Sequence, residues 1–126
     1  MTQQNNMNVR EKQLLKEHCK GKEASDTIRT DTYIDTGRWF RKSPLWLCFY
    51  RNECVVMALG RRRYIESVPR ESYSDSYYCH TTGELVIEPI ETLTHKRFKL
   101  TPAKALRALH ALGIDITTIS NHSAGE

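Results

Sequence analysis

The sequence predicts a mainly β domain of the α+β class, with about seven short antiparallel strands, a C-terminal helix capping them and a short helix ahead of them. Three observations carry this. Residues 45–59, LWLCFYRNECVVMAL, form two apolar runs either side of Arg51-Asn52, and Asn tolerates the positive φ of a tight hairpin turn. Further short runs follow, several of them alternating polar with apolar, each bounded by turn residues. Finally, Thr101-Pro102 and Gly113 bracket a leucine-rich segment with the start and stop signals of a helix. A doubly wound parallel sheet would need crossover helices between strands, so this order leaves a sandwich or partly open barrel plugged by the helix.

Taken in order, residues 1–8 are rich in Gln and Asn without an apolar period and read as a loose tail. In residues 9–20, Leu14 with His18 and Leu15 with Cys19 stand at i,i+4 spacing before Gly21, the pattern of a short amphipathic helix. Residues 27–40, rich in Thr, Ile and aromatics, suit one or two strands interrupted near Gly37. A turn at Arg51-Asn52 sets Phe49 opposite Cys54 and Leu47 opposite Val56. Both faces of that hairpin are apolar, which places it centrally. Gly60 breaks the chain, and residues 62–68 alternate until Pro69. Residues 76–80 and 84–88 flank Thr81-Thr82-Gly83 as another hairpin, and residues 96–100 make a last strand. In the terminal helix, Leu106, Leu109 and Leu112 with Ala105 are expected to form the buried stripe, with Lys104, Arg107 and Ala108 outward. Ile114 can fold back on Leu109, and residues 120–126 should fray. The expected division is a polar tail and short helix over 1–26, the β domain over 27–119 and a disordered tail over 120–126.

A chain of 126 residues with a mean hydropathy of -0.59 is the size of one domain and too apolar for disorder. It has no run of ~20 apolar residues, so no transmembrane segment is expected. The polar N-terminus does not resemble a signal peptide, which points to the cytoplasm. Cys19, Cys48, Cys54 and Cys79 lack both zinc-ribbon spacing and the density of a secreted framework, and read as reduced thiols. Charge is uneven. Residues 1–37 hold six Lys/Arg and six Asp/Glu, residues 38–63 seven and one, and residues 64–126 six and eight. An anionic partner is therefore expected at the middle segment.

That segment supplies the candidate site: Arg38, Arg41 and Lys42, with Arg61, Arg62 and Arg63 following Gly60. Guanidinium forks match phosphate oxygens, while the plainer role of such a run is a solvated turn protecting a sheet edge. Trp39, Phe40, Trp46, Phe49 and Tyr50 interleave with it and could stack on bases, although Trp46 and Phe49 sit inside an apolar hairpin, where core packing is the commoner role. The neighbours Cys79-His80 and His18-Cys19 carry no metal-ligand spacing, and adjacent strand residues point to opposite faces, which leaves neither zinc nor a His-activated cysteine. Asp31, Asp35, Asp75, Glu84 and Glu88 are scattered, and Gly37, Gly60, Gly83 and Gly113 stand at separate turns. No acid/base pair, dinucleotide fingerprint or P-loop follows, so no catalytic residue, cofactor or metal is expected.

The phrases WLCFYRNECVVMALG, RRYIESVP, SYYCHTTGELVIEP and RFKLTPAKALRALHALG resemble bacterial pleckstrin-homology-like domains over roughly residues 27–113. The resemblance implies seven strands in two near-orthogonal sheets, a C-terminal helix closing one open end, and binding of phosphoinositides, peptides or protein domains. Lipid-binding members carry a basic cluster between their first two strands, where residues 37–44 stand here without the longer basic spacing of those members. The leading expectation is a non-enzymatic module for a protein or peptide, bound by strand addition beside the C-terminal helix. The alternative is an anionic-surface binder, for lipid headgroups or nucleic acid, through Arg38, Arg41, Lys42, Arg61, Arg62 and Arg63.

Overall fold

Asn8 and Glu11 satisfy each other's backbone in a capping box, Asn8 Oδ1 accepting from Glu11 N at 2.8 Å and Glu11 Oε1 from Asn8 N at 2.9 Å. This opens helix α1, Val9–His18, and uses donors that a helix start otherwise leaves unpaired. The computed structural model describes residues 7–37, 41–69, 75–88 and 94–113. Within them follow β1 (Asp26–Ile34), β2 (Ser43–Phe49), β3 (Glu53–Leu59), β4 (Arg63–Pro69), β5 (Tyr77–Cys79), β6 (Glu84–Val86), β7 (Arg97–Lys99) and helix α2 (Pro102–Ala111). The fold is mainly β, with two antiparallel sheets, β1-β2-β3-β4 and β5-β6-β7. No ladder closes them into a barrel among the described residues. Between β7 and β1 the recorded tie is a side-chain one, Lys99 N donating to Thr32 Oγ1 at 2.8 Å.

The central hairpin pairs as its apolar pattern requires, Phe49 with Cys54 and Leu47 with Val56. Period-two alternation then sorts its side chains. Leu45, Leu47, Phe49, Cys54, Val56 and Ala58 face a core shared with Leu85, Ile87, Phe98 and α2. Trp46, Cys48, Tyr50, Val55 and Met57 face the other way, under Met7, Leu14, Leu15 and Cys19. The apolar outer face is explained by α1 lying on it. Met7 is buried and Asn8 caps the helix, so the loose tail does not extend to residue 8; residues 1–6 lie outside the described residues, as do Ile114 and 120–126. Sheet β1–β2 carries an irregularity between Arg29 and Tyr33. Buried Thr30 fills it, its hydroxyl donating to Leu45 O at 2.8 Å and accepting from Thr32 N at 3.2 Å.

Helix α2 begins as expected, Thr101 Oγ1 accepting from Lys104 N at 3.3 Å, and ends before Gly113 at φ 80. Its buried stripe differs from the expected one. Ala105, Ala108, Leu109 and Leu112 enter the core, while Leu106 is 45% exposed. These four stand at i, i+3, i+4 and i+7, one face of a helix, and the two alanines let the backbone approach the sheets where leucine would not fit. Arg107 is not free on the outer side either: its Nη2 and Nε donate to the two Asp26 carboxylate oxygens at 2.6 and 3.2 Å.

Candidate anion-binding surface

The base of the β1–β2 connection is a buried polar clasp. The Thr36 and Ser43 hydroxyls lie 2.7 Å apart in a hydrogen bond, and Ser43 Oγ also donates to Leu59 O at 3.2 Å. Both residues are buried. Gly60 completes the clasp because nothing larger fits: a Cβ there would stand 1.8 Å from Thr36 Oγ1. Its backbone N–H donates to Arg62 O at 3.1 Å, and Arg62 N donates to Thr36 O at 2.8 Å. The β3–β4 turn is thereby tied to the start of the β1–β2 connection, and a Cβ on Gly37 would lie 3.3 Å from Arg61 Cβ.

Two basic segments distant in sequence thus meet at one end of the four-stranded sheet. Arg41, Lys42, Arg61, Arg62 and Arg63 are all exposed; Arg38, Trp39 and Phe40 lie outside the described residues. One carboxylate intrudes. Asp35 Oδ1 accepts from Gly37 N at 2.8 Å, an Asx turn, and stands 3.7 Å from Arg62 Nη2 with both side chains about 70% exposed. So exposed a pair contributes little to stability and leaves Arg62 available. The aromatic half of the expected constellation divides differently: Trp46, Phe49 and Tyr50 are buried and belong to the cores, where no base can reach them.

The remaining sequence candidates are separated. Cys79 is buried and His80 exposed, Cys19 buried and His18 exposed, and no group of three His, Cys, Asp or Glu able to hold a metal occurs among the described residues. A polar cluster the sequence did not suggest joins β4 to the segment before β7. Glu66 accepts from Tyr64 Oη, from Thr94 N at 3.0 Å and from Thr94 Oγ1 at 2.8 Å, and Tyr64 meets His95 edge-on at 5.2 Å. Burial alone would raise the Glu66 carboxyl, but these hydrogen bonds outweigh it and hold it below the usual range. The cluster fastens one sheet to the other.

Burial also governs the thiols: it pushes Cys54 up to about 12 and Cys48 well above the ordinary value, so neither is a nucleophile at neutral pH. Thiol reagents are expected to modify Cys48 and Cys54 only at the rate of unfolding. Mass spectrometry of the native protein showing both labelled within minutes would mean that the hairpin is not central.

No helix among the described residues is long and apolar enough to cross a membrane. No protein-family model matches the chain, and no match is found among curated proteins or among solved structures.

Proposed function

We propose that the chain is a non-enzymatic binding module of pleckstrin-homology-like fold whose ligand is an anionic, phosphate-bearing surface. The order of four strands, three strands and a closing helix supports the fold. The observation that carries the function is the clasp of Thr36, Ser43 and Gly60, which brings Arg41-Lys42 and Arg61-Arg62-Arg63 together. A solvated turn guarding a sheet edge has no need of a buried hydroxyl pair aligning it with a second basic segment. Arginine forks at such a surface bind phosphate oxygens in pairs. Peptide addition beside α2 receives less support, because the β1 backbone there is engaged: Thr27 O and Arg29 O accept from Arg107 Nη2 at 3.5 Å and Lys104 Nζ at 3.1 Å.

Replacing Arg61, Arg62 and Arg63 together by Ser is expected to leave the unfolding midpoint nearly unchanged, since the side chains are exposed. The same variant should lose most binding to anionic vesicles or oligonucleotides, and the parent's binding should weaken steeply with salt. A parent that binds neither ligand, or a triple variant that binds as the parent does, sinks the reading.

A further inference from the structure

Counted along the chain, residues 1–37 are neutral; on the folded surface they are not. Of the six acids, Glu11 is 7% exposed and engaged in the capping box and Asp26 is half-buried against Arg107. The four others, Glu17, Glu23, Asp31 and Asp35, are exposed, against six exposed bases, so the excess on the surface is two positive charges. Arg10, Lys12, Lys16, Lys20 and Lys22 are all exposed; the Glu17 carboxylate is exposed among them and accepts from the Gln13 amide at 3.0 Å, a hydrogen bond that does not cancel its charge. Lys12 and Lys16, four apart on one helix, repel and do the helix no good. The first turn of α1 also adjoins the β3–β4 turn: Arg10, Arg63 and the Glu17 carboxylate line one groove of about 260 Å³ together with Val9, Leu14 and Leu59, so two cations there meet one acid. Val9 is 79% exposed, the most exposed large apolar side chain described.

We infer that the exposed face of α1 is the second half of the anion-binding surface, and that the surface is built for an anionic lipid bilayer. This rests on the reading above and extends it. Single-stranded nucleic acid is held by aromatic platforms beside basic residues, and the described aromatics of the basic segment are buried. What the surface offers is a spread of cations on two elements with an aliphatic tip between them. A headgroup layer recognises that arrangement, because each basic residue near it adds to the attraction and an apolar tip enters the acyl boundary.

The test uses the full chain and vesicles of phosphatidylcholine, alone or with about one quarter phosphatidylserine, in about 0.1 M salt, read by co-sedimentation. Arg10→Gln, Lys12→Gln and Lys16→Gln together should weaken binding to the anionic vesicles by at least about tenfold with unchanged far-ultraviolet circular dichroism. The charge-keeping set Arg10→Lys, Lys12→Arg and Lys16→Arg should restore it, and Val9→Ser should weaken binding without altering its salt dependence. If only the Arg61–Arg63 variant loses binding, the inference falls and the original site stands. If only the α1 variant does, the original reading falls and the extension with it. Retention on single-stranded or duplex oligonucleotides with no vesicle binding also overturns the bilayer assignment.

Discussion

Leu109→Ala is expected to cost about 2 to 5 kcal/mol, the range for a buried leucine that leaves a cavity. Leu109 is fully buried among residues from both sheets, so the loss falls where the sheets meet. Leu106, one turn of chain away and 45% exposed, provides the contrast: Leu106→Ala should stay within about 0.5 kcal/mol. Arg107→Ala lies between, at about 1 kcal/mol, because its forked pair with Asp26 ties α2 to β1 while remaining partly solvated. Urea unfolding should rank Leu109→Ala as the most destabilised, then Arg107→Ala, then Leu106→Ala, with a common slope. If Leu109→Ala and Leu106→Ala were equally mild, α2 would not be packed in the core and its apolar face would belong to another interface.

The difference between those two leucines marks what the sequence could convey. Hairpin register was legible because two apolar runs either side of a two-residue turn pair Phe49 with Cys54. Asn52, however, does not take the positive φ that its residue type suggested, Lys20 being the one non-glycine residue in that region among the described residues. The α2 boundaries were legible from Thr101, Pro102 and Gly113, each of which acts locally. The stripe differs from the one that leucine spacing suggests because the buried face carries Ala105 and Ala108 beside Leu109 and Leu112, while Leu106 stands outside it. The Asn8-x-x-Glu11 capping box is a local signal too, and it sets the start of α1 inside the stretch whose polar composition suggests a loose tail. In the candidate site, the basic residues announced themselves by charge, but what brings them together did not. Thr36 and Ser43 stand seven residues apart across the β1–β2 connection, Gly60 lies well beyond them, and all three are ordinary in type. The basic excess of α1 does not show in a count over residues 1–37, because the count pools it with Glu23, Asp26, Asp31 and Asp35 further along the chain and includes Glu11, which is buried.

Gly60→Ala is the second large effect expected, about 3 kcal/mol or more. Gly60 is not among the positive-φ glycines, so its requirement is one of space, not torsion. The new methyl would stand 1.8 Å from Thr36 Oγ1 and 2.6 Å from Thr36 Cβ. Thr36 is β-branched and 1% exposed, so its side chain has few rotamers to escape into. Moving it breaks the hydroxyl pair with Ser43 and strands a buried polar group. The clash and the lost hydrogen bond belong to one pair of positions, which makes the effect separable by a double-mutant cycle. Thr36→Gly alone should cost the hydrogen bond and some backbone entropy, and in that background Gly60→Ala should be far milder than in the parent. Binding provides the second axis. Because the clasp aligns Arg41-Lys42 with Arg61-Arg62-Arg63, Gly60→Ala should weaken anionic-vesicle binding at temperatures where the protein is still folded, although no charge has changed. A Gly60→Ala variant that is destabilised yet binds as the parent does would show that the two basic segments act independently, and that the clasp serves the fold alone.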